Sequence, residues 1–281
     1  MKPLMWPHIS PILVRIGPFA IHYYALAYIT ALLIGWRLVR RMCALEPVAA
    51  TGELIDDFLT WATLGVILGG RLGYVLFYQP IFFFAHPSRI VAVWDGGMSF
   101  HGGFLGVTIA IIWFSVKHHI NILRFADRIA VAVPLGLCLG RIANFINGEL
   151  WGRPAARWFP FPMIYPQSGS MVPRYPSELI EATLEGIILF AVMLIAARSL
   201  KLRHFSGMIA GIFVVGYGGC RIISECFRAP DSFLGFLPFG ATMGQILSLP
   251  MIFIGLGLIG FSITRRRDYQ TGETASEPSP F

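Results

Sequence analysis

The sequence predicts an all-α membrane protein with about seven transmembrane helices. Its 281 residues are 56% hydrophobic and only 13% charged, whereas soluble domains are about 45–50% apolar and about 25% charged. The apolar residues fall into several runs close to the ~20 residues that a helix needs to cross a bilayer. Because these runs are continuously apolar and do not alternate with polar residues, a transmembrane β-barrel is not expected.

Seven apolar runs are predicted to be the spans: residues 19–36, 58–77, 101–117, 129–146, 179–197, 206–223 and 239–263. Residues 1–18 contain four prolines and are expected to form an irregular or interfacial lead-in without a cleavable signal. The longest connection, residues 147–177, is rich in prolines and aromatics. We expect residues 1–267 to form a single multi-pass domain and the polar residues 268–281 to form a disordered cytoplasmic tail.

The basic residues predict the orientation of these spans. They cluster at residues 37–41, 117–128, 198–203 and 265–267, which lie on alternate connections. By the positive-inside rule that side is cytoplasmic, so the N-terminus is extracytoplasmic and the C-terminus is cytoplasmic. The net charge of +7 is therefore interpreted as a topology signal and not as a nucleic-acid-binding surface.

Residues 140–153 run from the end of the fourth span into the proline-rich connection. Arg141, Asn144 and Gly148 are spaced i, i+3, i+7, which places them on one face of a helix. An arginine within lipid costs about 2.5–3.5 kcal/mol on insertion scales, so a partner or a ligand must compensate for it. The alternative is an arginine that snorkels to the interface, with the asparagine bonded to a neighbouring helix.

A second polar face is predicted near the end of the sixth span. Tyr217, Arg221, Glu225 and Arg228 are spaced i, i+4, i+8, i+11, and Arg221 can pair with Glu225. Two arginines around one carboxylate leave a surplus positive charge, which together with Arg141 predicts a cationic pocket for an anionic head group. The alternative is a purely structural ion pair at the membrane edge.

His101 lies between a turn-like Asp-Gly-Gly segment and two further glycines. A histidine at an interface is often a hydrogen-bonded structural residue, but its ordinary pKa near 6.5 also makes it a candidate general base. We place it on the same side of the membrane as the arginines.

Three glutamates are spaced i, i+3, i+7 at the start of the fifth span. Glu178 suits a helix N-terminus. We expect Glu181 and Glu185 to give structural support by pairing with arginines such as Arg71. The four cysteines match no zinc or redox spacing, and no serine hydrolase elbow, P-loop or zinc protease motif is present.

Four segments together resemble a known family. Residues 140–152 read Gly-Arg-Ile-Ala-Asn-Phe-Ile-Asn-Gly-Glu-Leu-Trp-Gly, which resembles the signature of the bacterial phosphatidylglycerol–prolipoprotein diacylglyceryl transferases. Ile21-His22-Tyr23-Tyr24, His101-Gly102-Gly103 and Arg221-x3-Glu225-x2-Arg228-x-Pro230-Asp231 resemble three further motifs of that family, in the same order. The resemblance covers nearly the whole chain up to about Arg267.

The resemblance implies a reaction. The diacylglyceryl group of phosphatidylglycerol moves to the thiol of the lipobox cysteine in a prolipoprotein signal peptide, a thioether forms and glycerol phosphate leaves. It further implies a bacterial inner-membrane enzyme with its active site toward the extracytoplasmic side, in contact with membrane lipids. No metal, cofactor or nucleic acid is expected.

The resemblance also suggests roles for individual residues. Arg141 and Arg221 would bind and stabilise the phosphate, and His101 would take the thiol proton. The residues expected to bind or position the substrate are Tyr24, Arg141, Asn144, Asn147, Glu149, Gly152, Tyr217, Glu225 and Arg228. Within this group, Glu225 would orient Arg221 and Arg228 would add to the positive field.

The competing hypothesis is a transporter or channel for an anionic lipid or solute, whose path would be lined by intramembrane arginines. It predicts charged residues through the whole depth of the bundle, whereas here they concentrate in the outer half. The sequence has no evident internal repeat, which further disfavours an inverted-repeat transporter. An intramembrane protease is disfavoured because no Ser/His or paired-Asp arrangement is evident.

Overall fold

The computed structural model describes residues 3–17, 19–230 and 240–275, and these residues are mostly helical. The elements of the N-terminal half are β1 (Leu4–Met5), β2 (Ile12–Ile16), β3 (Phe19–His22), α1 (Tyr23–Cys43), α2 (Gly52–Phe77), α3 (Pro80–Ala85), α4 (Phe100–Lys117), α5 (Ile122–Ala130) and α6 (Val133–Asn147). They are followed by β4 (Met163–Ile164), α7 (Ser177–Glu181), a π-helix (Ala182–Ile188), α8 (Leu189–Arg198), α9 (Leu200–Arg203), α10 (Met208–Glu225) and α11 (Met243–Ala275).

Five helical segments of the described chain are long and apolar enough to cross a membrane. They are Gly52–Phe77, Ile122–Asn147, Ser177–Arg198, Met208–Glu225 and Met243–Arg265, and His101–Lys117 is a shorter apolar helix. The prediction of a mainly helical protein with several helices able to span a membrane is therefore confirmed, although four short strands are also present. The number of seven spans and their orientation stay predictions.

Two helix boundaries differ from the predicted spans for local reasons. Helix α1 continues through its three arginines to Cys43, where basic residues in the last turn favour the helix dipole. The fourth predicted span is preceded by α5, and the chain changes from α5 to α6 just before Pro134. Proline suits the first turn of a helix but interrupts one that is already running.

The lead-in is not irregular throughout, because strands β1 and β2 lie within the first 18 residues, and its interfacial location stays a prediction. Strand β1 pairs in parallel with β4, and β2 pairs antiparallel with β3. The pairing of β3 with β2 also explains why α1 starts at Tyr23 and not at residue 19. Between the strands, Trp6 is only 3% exposed and donates its indole N–H to the carbonyl of Phe145 at 2.8 Å, near the end of α6.

The chain divides into two compact units, of which the first comprises Met1–Leu38 and Asp127–Phe281. Within it, Asp127 is buried and its carboxylate accepts hydrogen bonds from the backbone N–H groups of Gly207 and Ala210, at 2.8 and 2.7 Å. Asp127 therefore satisfies donors at the N-terminal end of α10 that have no partner inside that helix. The predicted tail is helical up to Ala275, and residues 276–281 lie outside the described residues, as do Asp231 and residues 232–239.

The second unit comprises Val39–Ala126, and glycines bring its helices α2 and α4 into close contact. Gly65, Gly69 and Gly73 of α2 face Gly102 and Gly106 of α4, so that a Cβ on any of them would overlap backbone atoms of the other helix. Small residues at four-residue spacing are typical of helices that pack backbone to backbone in membranes. Gly102 of the His-Gly-Gly motif therefore has a role in packing α4 against α2.

Replacing Gly102 by alanine is expected to lower the apparent melting temperature in detergent by several degrees. Its Cβ would come within 2.9 Å of the Gly73 Cα and still closer to the Gly69 carbonyl oxygen, and overpacking of this kind costs about 1–3 kcal/mol. Gly103→Ala is the matched control, because its Cβ would lie 3.5 Å from the nearest atom, which is ordinary contact. Equal melting temperatures for the two variants would contradict the close packing.

Candidate active site

The site is built at the C-terminal end of α6, where the chain leaves the helix at Gly148. Gly148 adopts the left-handed conformation (φ 66°, ψ 40°) that commonly ends a helix. A Cβ at this position would lie 2.7 Å from the side-chain nitrogen of Gln167. Both constraints favour glycine, and together they fix the direction in which residues 149–153 leave the helix.

Gly152 carries this segment past the end of α10. Its N–H donates to the carbonyl of Tyr175 at 3.0 Å, and it forms an isolated antiparallel bridge with Arg228. The N–H of Arg153 donates to the carbonyl of Phe227 at 3.1 Å. Because a Cβ on Gly152 would overlap the carbonyl oxygens of both Phe227 and Tyr175, only glycine fits between these two chain segments.

Arg153 fixes the backbone at the end of α10 with its side chain. Its Nε donates to the carbonyl of Arg228 at 2.9 Å, and its Nη2 donates to the carbonyl of Glu225 at 2.7 Å. The carbonyls at the end of a helix have no partner within the helix. Arg153 therefore fixes the backbone of Glu225 and Arg228, whose side chains belong to the candidate site.

Three arginines converge on one carboxylate oxygen of Glu181, which lies at the C-terminal end of α7. Its Oε2 is 2.8 Å from Arg141 of α6, 2.8 Å from Arg221 of α10 and 3.8 Å from Arg228. The Glu181 side chain is 1% exposed. Arginines from two helices and from the segment after α10 are thus gathered at one point.

Arg221 contacts three carboxylates at once. Besides Glu181, its guanidinium is 3.3 Å from Glu185 and 2.5 Å from Glu225. Glu185 lies in the π-helix and also accepts a hydrogen bond from the Ser224 hydroxyl at 2.8 Å. Isolated π-helical turns occur often at functional sites, and here one carries a carboxylate that is fully buried.

The cluster contains as many arginines as glutamates, which corrects one expectation from the sequence. Three arginines (141, 221 and 228) face three glutamates (181, 185 and 225), so the predicted surplus of positive charge is wrong for these six groups.

The suggestion that Arg71 pairs with Glu181 and Glu185 is also wrong. Arg71 instead donates to the backbone carbonyls of residues 89, 90, 96 and 97 within the second unit. The predicted pair between Arg221 and Glu225 is present.

A network of amides connects Arg141 to Glu149. With the Asn144 amide oriented to suit both neighbours, its oxygen accepts from Arg141 at 3.3 Å and its nitrogen donates to Glu149 at 3.1 Å. The Asn147 amide donates to the same Glu149 oxygen at 3.3 Å. Arg141, Asn144, Asn147 and Glu149 therefore form one hydrogen-bonded network, which fixes the orientation of the Arg141 side chain.

Two tyrosines lie beside the charged residues. Tyr24, in the first turn of α1, is close enough to Glu149 and Arg141 for an electrostatic interaction, and its ring is 5.0 Å from that of Tyr28. Tyr217, one turn before Arg221 on α10, interacts in the same way with Glu185 and Arg221. Both predicted tyrosines are thus brought to the arginine cluster of the first unit.

Tyr165 and Glu178 support the cluster from the long connection. The Tyr165 hydroxyl is fully buried and donates to the Glu178 carboxylate at 3.1 Å. Burial and the neighbouring Glu178 carboxylate raise the pKa of Tyr165, so the hydroxyl keeps its proton and remains a donor. Glu178, placed by the sequence at a helix N-terminus, lies one turn before Glu181 in α7 and is itself 1% exposed.

The comparisons with known proteins decide the family. The family model described as prolipoprotein diacylglyceryl transferase matches residues 11–261. The chain belongs to this family. It is 67% identical over 255 residues to the phosphatidylglycerol–prolipoprotein diacylglyceryl transferase of Acidiphilium cryptum, covering 91% of this chain and 92% of that protein. It is 58% identical over 262 residues to the protein of the same name from Gluconacetobacter diazotrophicus, covering 93% of each.

The candidate site of this diacylglyceryl transferase family member brings together most of the residues predicted from the sequence. Within the first unit, these contacts involve Tyr24, Arg141, Asn144, Asn147, Glu149, Gly152, Tyr217, Arg221, Glu225 and Arg228. His101 belongs to the second unit, where it is exposed near the start of α4, just after the helix-capping Ser99. Its role as a base stays a prediction.

The sequence reasoning missed two kinds of residue in this family member. Glu181 and Glu185 do pair with arginines as expected, but their partners Arg141 and Arg221 were not identified. Arg153 was not singled out, although it bonds the backbone carbonyls of Glu225 and Arg228 at the end of α10. A count of buried charges could have indicated the glutamates, because three arginines in or beside apolar runs need three partners.

Proposed function

We propose that the protein transfers the diacylglyceryl group of phosphatidylglycerol to the lipobox cysteine thiol of prolipoproteins, forming a thioether and releasing glycerol phosphate. The names of its close relatives support the substrates and the reaction. The observation that best supports the location of the site is the convergence of Arg141 and Arg221 on one oxygen of Glu181. Guanidinium groups arranged around a carboxylate are also arranged to bind phosphate oxygens.

The reaction makes two demands on the protein. The thiol, whose ordinary pKa is about 8.5, must lose its proton, because the thiolate is the nucleophile. The carbon–sulfur bond then forms as the carbon–oxygen bond to phosphate breaks, and the electron pair goes to the phosphate oxygen. Negative charge develops on the leaving group, and positioned arginines stabilise it most in the transition state.

The proposed roles follow these demands. Arg141 and Arg221 bind the phosphate of the lipid and stabilise it as it leaves. Glu225 orients Arg221, and Arg228 adds a third cation. The residues proposed to position the head group or the arginines are Tyr24, Asn144, Asn147, Glu149, Gly152 and Tyr217.

We further propose the seven-span arrangement that the basic clusters indicate, with the N-terminus extracytoplasmic and the C-terminus cytoplasmic. Residues 1–267 then form one multi-pass domain in the bacterial inner membrane, followed by a polar cytoplasmic tail. The site lies toward the extracytoplasmic side, where it meets the signal peptide and its lipobox cysteine.

The decisive experiment is diacylglyceryl transfer by the purified protein. The protein is supplied with phosphatidylglycerol in mixed micelles and with a lipobox peptide, and thioether formation is followed by mass spectrometry. A matching peptide with serine in place of the cysteine should give no product. Transport of a labelled anion by proteoliposomes, without thioether product, would instead support the transporter hypothesis.

Replacing His101 by glutamine is expected to lower kcat about 10²-fold, which is near the lower limit for loss of a general base. The KM for phosphatidylglycerol should change little, since His101 is not proposed to bind phosphate. His118→Gln, at the other end of α4, is the matched control. Full activity of His101→Gln would remove the base assignment and leave the proposed reaction intact.

A further inference from the structure

Glu181 occupies the position in the cluster where a phosphate oxygen would be bound. It contacts Arg141 of α6 and Arg221 of α10 through the same oxygen, at 2.8 Å each. Its second oxygen is buried and makes no hydrogen bond with the described residues. One carboxylate oxygen thus engages two guanidinium groups on different helices, and Arg228 lies 3.8 Å away from the same oxygen.

The other two glutamates of the cluster are engaged differently. Glu185 is held by the Ser224 hydroxyl as well as by Arg221. Glu225 lies on α10 and pairs with Arg221 of its own helix, at i, i+4. Glu181 is therefore the carboxylate that connects the two arginines assigned to phosphate.

From this geometry we infer that Glu181 competes with phosphate for Arg141 and Arg221, and that this competition promotes release of glycerol phosphate. The inference rests on the proposed function, because it takes the arginines as the phosphate site. A fixed carboxylate and a phosphate cannot both hold the same guanidinium protons. Binding of either substrate or product must therefore weaken the contacts of Glu181.

The competition acts more strongly on product than on substrate. The phosphodiester of phosphatidylglycerol carries one negative charge, whereas a phosphate monoester carries about −1.5 to −2 at pH 7. Without Glu181, the three arginines would face only Glu185 and Glu225, and this surplus of one positive charge would hold the more highly charged product more tightly and slow each turnover. A fixed negative charge among the arginines repels the doubly charged product about twice as strongly, because Coulomb energy scales with charge. Glu181 thus weakens the binding of glycerol phosphate, the product that must leave the site.

Glu181→Gln tests the inference because it keeps the shape of the side chain and removes its charge. We expect the inhibition constant of glycerol phosphate to fall at least about tenfold, which corresponds to about 1.4 kcal/mol of tighter binding. The KM for phosphatidylglycerol should fall as well, and kcat should fall because product release becomes slower. Equilibrium binding of labelled glycerol phosphate to the detergent-purified protein gives the same comparison without turnover.

Glu53→Gln is the control for removal of one carboxylate charge. Glu53 lies in the first turn of α2, in the second unit, and is not one of the glutamates of the cluster. Its replacement should leave the affinity for glycerol phosphate unchanged. Glu181→Asp, which keeps the charge but shortens the side chain by one methylene, should give an intermediate affinity and remains informative if the glutamine variant folds poorly.

The outcomes separate the inference from the proposed function. If the wild-type protein forms no thioether, the proposed function fails. If the wild-type protein is active but Glu181→Gln binds glycerol phosphate no more tightly, only the counter-ion role is overturned. A raised KM and a weakened affinity for glycerol phosphate would indicate that Glu181 merely holds the arginines in place, which also overturns the inference.

Discussion

Replacing Arg221 by lysine is expected to reduce diacylglyceryl transfer by about 10³-fold, in line with the loss of one strong donor to a developing oxyanion. Its guanidinium contacts Glu181, Glu185 and Glu225 simultaneously. A lysine ammonium keeps the positive charge but is a compact group that cannot make these planar, forked contacts. The loss should appear in kcat, because the missing contact is strongest in the transition state.

The lysine variant is preferable to alanine for this test. Alanine would leave three buried carboxylates facing two arginines, and an uncompensated buried charge can cost about 3–5 kcal/mol of stability. Arg40→Lys is a suitable control, because Arg40 also contacts a carboxylate, that of Asp56, but the pair is roughly half exposed. An exposed pair contributes about 0–1 kcal/mol. Transfer by Arg221→Lys at more than a tenth of the wild-type rate, with normal melting temperature, would contradict the proposed role of Arg221.

Features set by helical periodicity could be predicted from the sequence. The apolar runs predicted the long helices because length and hydrophobicity are local properties of the chain. The shared face of Arg141 and Asn144, and the pair between Arg221 and Glu225, follow from contacts three or four residues apart. These predictions needed no knowledge of how helices are arranged relative to one another.

Pairings between distant segments could not be predicted in the same way. Arg71 and Arg141 both lie in apolar runs, and nothing local distinguishes the one that binds backbone carbonyls from the one that binds Glu181. The two-residue strands β1 and β4 are too short to show an alternating pattern, and they are separated by more than 150 residues. Their pairing depends on packing around Trp6 and Tyr165, which is a tertiary property.

The error about surplus charge has the same origin. Counting only the charges near Arg221 along the chain gave two arginines and one glutamate. Helix α7 and the π-helix bring Glu181 and Glu185 from some 40 residues away, and the three-to-three balance results. Burial of the three glutamates is tolerable because each has an arginine within 4 Å. These six groups are therefore balanced in charge and do not form a permanently positive pocket.

Replacing Gly152 by alanine is expected to lower transfer activity by more than about 10²-fold, because small displacements at a catalytic site can have effects of that size. The added Cβ would lie 2.6 Å from the Tyr175 carbonyl oxygen and even closer to that of Phe227. Both obstacles are backbone atoms, so they cannot rotate away as a side chain could. The bridge to Arg228 must open, and the hold of Arg153 on the Glu225 and Arg228 carbonyls is disturbed with it.

Gly140→Ala is the matched control, because it adds the same methyl group in the same stretch of sequence. A Cβ on Gly140 meets no atom within 4 Å, and the residue lies inside helix α6, where alanine is the better helix former. Its activity and melting temperature should equal or exceed those of the wild type. If Gly152→Ala were as active as Gly140→Ala, then the contact between the 149–153 segment and the end of α10 would not position the arginines, and Arg228 would have to be placed by its ion pairs alone.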